Sequence, residues 1–148
     1  MGRKSIDMDI VLVYYIINTK VQSKYGGEKM KFDDKLPIYT QIVDYLKRKI
    51  INGKLKEGEK LPSVREIAKS LKVNPNTVQR SYQILEYEDI IFTQRGRGSF
   101  VTEDKEKIEE LKLTMANEIV NNFINDMKNL GFERNEVIEL IKAVKEEK

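Results

Sequence analysis

The sequence predicts a mostly helical chain with one small β-hairpin, and three observations carry this. Apolar residues recur at steps of three and four through 38–51, 64–85 and 108–144, the pattern of helices that each bury one face. Asn74-Pro75 reads as a helix start, with asparagine suited to the cap and proline to the first helical position. DIIFTQRGRGSFVT (89–102) sets two short apolar stretches around a glycine-rich turn, the pattern of a hairpin.

At 148 residues the chain is one domain or a small domain with an appendage. It has no Cys and no His, which excludes disulfides, thiolate chemistry, the usual general base and the commonest zinc ligand. The net charge of +3 is unevenly spread, with +3 in residues 60–100 and −4 in 101–148. A basic middle and an acidic tail suggest a polyanion-binding domain followed by a part that does not bind polyanions.

Residues 1–29 stand apart. DIVLVYYIINT (9–19) is apolar, but its unbroken run from Ile10 to Ile17 is too short to span a bilayer. Asp7 and Asp9 interrupt any basic lead-in, and no small-residue cleavage pattern follows, so it makes a poor signal peptide. On propensity it could be a buried strand or short helix. The favoured reading is a non-domain leader: Gly26-Gly27-Glu28 precede Met30 and can be encoded as GGA-GGT-GAA, a purine-rich ribosome-binding sequence ahead of an ATG. The leader is then upstream sequence read from an early start codon. The domain proper spans 30–102, and a helical tail spans 103–148.

From Met30 the elements follow in order. LPIYTQIVDYLKRKIINGKL (36–55) carries a helical stripe of Ile38, Ile42, Tyr45, Leu46, Ile50 and Ile51, with Pro37 in its first turn and Gly53 at its end. After the polar loop KEGEKLPS, Ser63 and Glu66 have the spacing of a capping box. Ile67, Ala68 and Leu71 form the inner face of that second helix. Asn74 caps the third, in which Val78, Tyr82 and Leu85 are spaced for burial. Two helices joined by a tight turn, the second polar at its start, make a helix-turn-helix. The hairpin that follows carries Arg95 and Arg97 at its tip, so the whole reads as a winged helix-turn-helix.

The residues LPSVREIAKSLKVNPNTVQRSYQILEYEDIIFTQRGRGSFV (61–101) resemble the DNA-binding domain of GntR-superfamily transcription regulators. LPSVREIA, NPNTV with SYQILE, and RGRGSFV occur together in order, and the likeness runs from about Pro37 to Val101. The short remainder resembles the YtrA-like subfamily. The resemblance implies that Arg65, residues at the start of the recognition helix and the wing-tip Gly96 contact operator DNA, with the wing in or along the minor groove. One departure stands out. Pro75 and Gln79 occupy positions where some branches carry a basic residue, which leaves Arg80 as the sole basic side chain in the first turns of that helix.

In a helix-turn-helix the first residues of the second helix meet base edges. Here those are Asn74, Asn76, Thr77, Gln79 and Arg80. Asn and Gln suit adenine, Arg suits guanine, and the threonine methyl suits that of thymine. Arg80 could instead flank the core. Ser63 and Arg65 begin the helix that crosses the backbone: Arg65 holds a phosphate or reaches the groove, and Ser63 donates to phosphate, with capping as its competing role. Arg95, Gly96 and Arg97 form the wing tip.

In the tail, 104–130 places Ile108, Leu111, Met115, Ile119, Phe123, Met127 and Leu130 on one face, and Gly131 stops the helix. A second amphipathic helix turns Val137, Leu140, Ile141 and Val144 inward. Two helices in so short an appendage cannot bury both stripes. The alternatives are folding back on the winged domain and pairing with a second copy. The resemblance favours a homodimer, and readers of this type pair on two-fold sites. The fold expected is therefore an N-terminal winged helix-turn-helix followed by a two-helix dimerisation tail.

The functional expectation is a cytoplasmic bacterial regulator, a repressor, that binds an inverted-repeat DNA operator as a homodimer. No cofactor, metal or membrane partner is expected, and no effector pocket can be named. Enzyme chemistry is not expected: GRGS lacks the spacing and flanking order of a phosphate loop, and Glu109-Glu110 and Glu146-Glu147 read as solvated helix faces. The competing class is a winged-helix interaction module that has abandoned DNA. Such a module would not need Asn76, Gln79, Arg95 and Arg97 all exposed.

Overall fold

The computed structural model describes residues 30–144; the leader reading of 1–29 lies outside them. Five helices and one hairpin follow in order: α1 (Ile38–Ile51), α2 (Val64–Leu71), α3 (Pro75–Tyr87), β1 (Ile91–Gln94), β2 (Gly98–Val101), α4 (Lys105–Asn129) and α5 (Arg134–Ala143). They form two compact units that divide between Thr102 and Glu103.

In the first unit α3 is the centre, packed against α1, α2 and β1. Ile42 and Leu46 of α1, Val78 and Leu85 of α3, Ile91 and Val101 of the hairpin are all at most 2% exposed. Burying each such side chain contributes about 1.5–3 kcal/mol relative to exposure. The face of α1 is rotated from the expected stripe. Val43 and Gln41 are buried while Ile38 is 42% exposed and Ile51 half-buried. Polar Gln41 can enter because its amide is used up. Its Oε1 accepts from Asp33 N at 2.8 Å, and its Nε2 donates to the carbonyls of Asp33 and Leu36, both at 2.9 Å. Pro37 stands at the N-cap, one position before the expected first turn. Leu71 is half-buried, since it closes the last turn of an eight-residue helix.

The capping box at the start of α2 is complete. Glu66 N donates to Ser63 Oγ at 3.1 Å and Ser63 N to Glu66 Oε2 at 2.6 Å. At the start of α3, Asn76 N donates to Asn74 Oδ1 at 2.8 Å, with Pro75 in the first turn.

The strands pair antiparallel with Ile91 opposite Val101, Phe92 opposite Phe100, Thr93 opposite Ser99 and Gln94 opposite Gly98. The alternation turns Ile91 and Val101 into the core and stacks the rings of Phe92 and Phe100, 5.6 Å apart, on the other face. A third segment joins this sheet. Leu61 N donates to Ser99 O at 2.8 Å and Val101 N to Glu59 O at 2.9 Å, which sets Lys60 opposite Phe100.

In the second unit Asp104 caps α4 by accepting from the amides of Glu106 and Lys107. The helix ends in a Schellman turn. Phe132 N donates to Met127 O at 3.0 Å and Gly131 N to Lys128 O at 2.9 Å. Gly131 takes φ +89°, the left-handed conformation that favours glycine. The chain then reverses into α5, which packs on α4. Val137 is 1% and Met127 6% exposed. The expected inward face of α5 is only partly realised: Leu140 is half-buried, Ile141 is 56% exposed, and Val144 lies past the helix end at 57%. Ten residues of α5 span about 15 Å against about 37 Å for α4, so α5 can cover less than half the length of α4.

Candidate nucleic-acid interface

The outer surface of the first unit is built from three local structures. At the start of α3, Asn74, Asn76, Gln79 and Arg80 are exposed and Thr77 is half-buried. The inward positions of the same helix are Val78, Ser81, Tyr82 and Leu85. Two hydroxyls fix how this helix sits. The Ser81 hydroxyl, fully buried, lies 3.0 Å from the carbonyl oxygens of both Tyr39 and Thr77. The Tyr82 hydroxyl donates to Pro62 O at 2.5 Å, tying α3 to the loop that starts α2. Burial, then the nearby Glu66 carboxylate, pushes the Tyr82 phenol well above the ordinary tyrosine range, so it stays a donor.

Arg80 does not stand free. Its guanidinium lies over the ring of Tyr39, 3.7 Å from the centroid. Sequence reasoning missed Tyr39, because no periodicity links position 39 to position 80. The only hint is an aromatic residue placed in the first turn of α1, ahead of the buried face.

Ser63 and Arg65 are exposed at the start of α2. The two roles weighed for Ser63 are compatible, since its oxygen accepts in the capping box while its hydroxyl proton remains able to donate outward. At the wing, Arg97 N donates to Gln94 O at 2.9 Å and closes a tip of Arg95, Gly96 and Arg97, all exposed. Gly96 takes φ +77°, the left-handed conformation that favours glycine, and a Cβ there would meet nothing within 4 Å, so the turn's backbone lies open to the outside. Among the described residues no carboxylate pairs with Arg65, Arg95 or Arg97, whereas Lys47 pairs with Glu88 and Arg48 with Asp44.

The tail residues singled out from the sequence separate into two groups. Leu111, Met115 and Met127 are buried within the chain, and Ile108 and Phe123 are half-buried. Ile119 and Leu130 are 47% and 53% exposed, as are their neighbours Leu113 at 63% and Val120 at 53%. Among the described residues no group of three or more His, Cys, Asp or Glu could hold a metal ion, and no helix is long and apolar enough to cross a membrane.

A polar-fronted helix held between two others, beside a hairpin with an uncompensated basic tip, defines a DNA-reading winged helix-turn-helix. Comparison with known proteins makes this particular. Residues 38–101 match the bacterial regulatory proteins of the gntR family. The chain is 42% identical over 116 residues to the HTH-type transcriptional regulator YhcF of Bacillus subtilis, covering 78% of this chain and 96% of that one. It is 43% identical over 109 residues to the HTH-type transcriptional repressor YtrA of the same organism, covering 73% and 84%. A solved GntR family transcriptional regulator from Listeria monocytogenes superposes with a TM-score of 0.72 at 46% identity, over 77% of this chain and all of that one. A transcriptional regulator from Oenococcus oeni gives 0.64 at 28%, over 78% and 97%. The chain belongs to the GntR family of transcriptional regulators, among its YtrA-like members.

Proposed function

We propose that this regulator is a repressor that binds an inverted-repeat operator as a homodimer in the bacterial cytoplasm. Asn74, Asn76, Thr77, Gln79 and Arg80 face the major groove, Ser63 and Arg65 hold the backbone, and Arg95, Gly96 and Arg97 follow the minor groove. The observation that carries the reading is the division of labour on α3. Of the residues able to read bases, Asn74, Asn76, Gln79 and Arg80 are exposed and Thr77 is half-buried, while the fold rests on Val78, Ser81, Tyr82 and Leu85. The repressor role draws on the likeness to YtrA, itself a transcriptional repressor.

The dimer reading is supported by apolar surface that α4 and α5 leave open at Ile119, Leu130 and Ile141. A second copy covering these residues would present two reading heads, and linking two heads raises avidity by on the order of 10² or more. Light scattering on the full chain and on an Ile119→Asp, Ile141→Asp variant tests the assembly: a dimer is expected for the first and a monomer for the second. Both positions are exposed, so the variant keeps its helices. Duplex titration at two salt concentrations tests the DNA reading. Binding that ignores salt, or no binding, would leave the fold as a protein-interaction module.

A further inference from the structure

The segment before α2 is part of the wing. Residues 59–61 run antiparallel along β2 through the bonds Leu61 N to Ser99 O and Val101 N to Glu59 O. Lys60 and Phe100 therefore form the non-hydrogen-bonded pair, the position where side chains of neighbouring strands stand closest. Being opposite each other, they share a face of the sheet, and Gly98, two residues from Phe100, shares it too.

The Lys60 side chain uses that vacancy. A Cβ built on Gly98 would lie 2.8 Å from Lys60 Cε and 3.5 Å from its Nζ. The lysine stem is thus laid across the bare backbone of Gly98, running from the level of Phe100 toward the tip. Its ammonium ends beside the residue that follows Arg97. Gly98 also has φ +113°, so two independent features keep a side chain out of the lysine's path. Lys60 is exposed, and among the described residues no carboxylate pairs with it.

We propose that Lys60 is a third cation of the wing and contacts a DNA backbone phosphate beside those met by Arg95 and Arg97. This rests on the reading that the wing meets duplex DNA. Phosphates follow one another about every 3.4 Å of helix axis along a strand. A cation one residue back from the tip therefore has its own phosphate rather than competing for that of Arg97. A lysine pinned along a strand is also partly ordered before binding, which suits a fixed backbone contact better than a free surface lysine would. The contact carries no base information, so it should raise affinity for operator and for random duplex alike.

The test measures binding of the full-length protein to a mixed-sequence duplex across a series of KCl concentrations. The variants are Lys60→Met, which keeps the apolar stem, Lys60→Arg, which keeps the charge, and Arg97→Ala. Lys60→Met is expected to flatten the plot of log affinity against log salt by about 0.9, to weaken low-salt binding several-fold and to leave Tm unchanged. Lys60→Arg should restore the slope. A Lys60→Met slope equal to the parent's, alongside a flattened slope for Arg97→Ala, would overturn the role of Lys60 while leaving the wing on DNA. Unchanged slopes for both variants would overturn this inference and the wing reading together.

Discussion

The guanidinium of Arg80 rests 3.7 Å from the centre of the Tyr39 ring, and the carbonyl of the same Tyr39 lies 3.0 Å from the buried Ser81 hydroxyl. The first turn of α1 and α3 are thus joined at neighbouring positions, once through the ring to an outward residue and once through the backbone to an inward one. Tyr39 acts as a platform that limits where the arginine can point. Tyr39→Leu should weaken DNA binding by about 0.5–1 kcal/mol, the value of an exposed cation–π contact, and Tyr39→Phe should leave it unchanged. In an Arg80→Ala background the leucine substitution should add nothing. Affinities of the four proteins in a double-mutant cycle decide this; simple additivity would mean the ring does not serve the arginine.

The wing tip should respond as a pure binding element. Arg95→Ala and Arg97→Ala should each reduce DNA affinity and flatten the salt dependence by about one unit. Neither side chain is needed by the fold, since both are exposed on the turn. Thermal melts run beside the titrations provide the check. A large fall in Tm with unchanged affinity would assign the arginines to stability.

Asn76→Ala and Gln79→Ala should act on discrimination. Each is expected to cost about 1–3 kcal/mol on the operator and much less on random duplex. The comparison requires both DNAs under one salt condition. Equal losses on the two would place these side chains on phosphates.

Tyr82 gives the fold an alkaline limit. Its phenol is held protonated above the ordinary range by burial and by Glu66, whereas in the unfolded chain it ionises near pH 10. Above about pH 10 the unfolded state therefore binds fewer protons, and stability falls as pH rises; below that pH the contribution is fully present. Tyr82→Phe loses the bond to Pro62 O, costing about 1 kcal/mol at neutral pH, but it escapes the alkaline decline. Denaturant melts of both proteins should show curves that converge above about pH 10. A gap that stays constant across that range would contradict the linkage.

What could be read in the sequence was what neighbours in sequence decide. The capping box of Ser63 and Glu66, the Asn74-Pro75 start, the hairpin and the Gly131 stop all depend on residues a few positions apart. The features that escaped depend on partners that no local motif marks. Gln41 and Ser81 look like surface residues until their partners at Asp33, Leu36 and Tyr39 are in place. Lys60 joins the wing only because residues some forty positions later come to lie beside it. In the tail, periodicity marked apolar stripes but could not say how much of each the partner helix would reach. Val137 is covered, whereas Ile141, one turn further on, is not.

The inward side of α3 repeats at Val78, Ser81, Tyr82 and Leu85, and the outward side at Asn76, Gln79, Arg80 and Gln83. No residue belongs to both sets. Apart from Arg80, which rests on Tyr39, changes on the outward side leave the core packing alone, while the inward side remains under constraint from three surrounding elements. On the reading proposed above, a duplicated copy of such a gene could drift toward a new target by exchanging outward side chains on a conserved scaffold. The same separation offers an experimental handle: a library randomised at Asn76, Gln79 and Gln83 is expected to vary target choice among proteins that still fold.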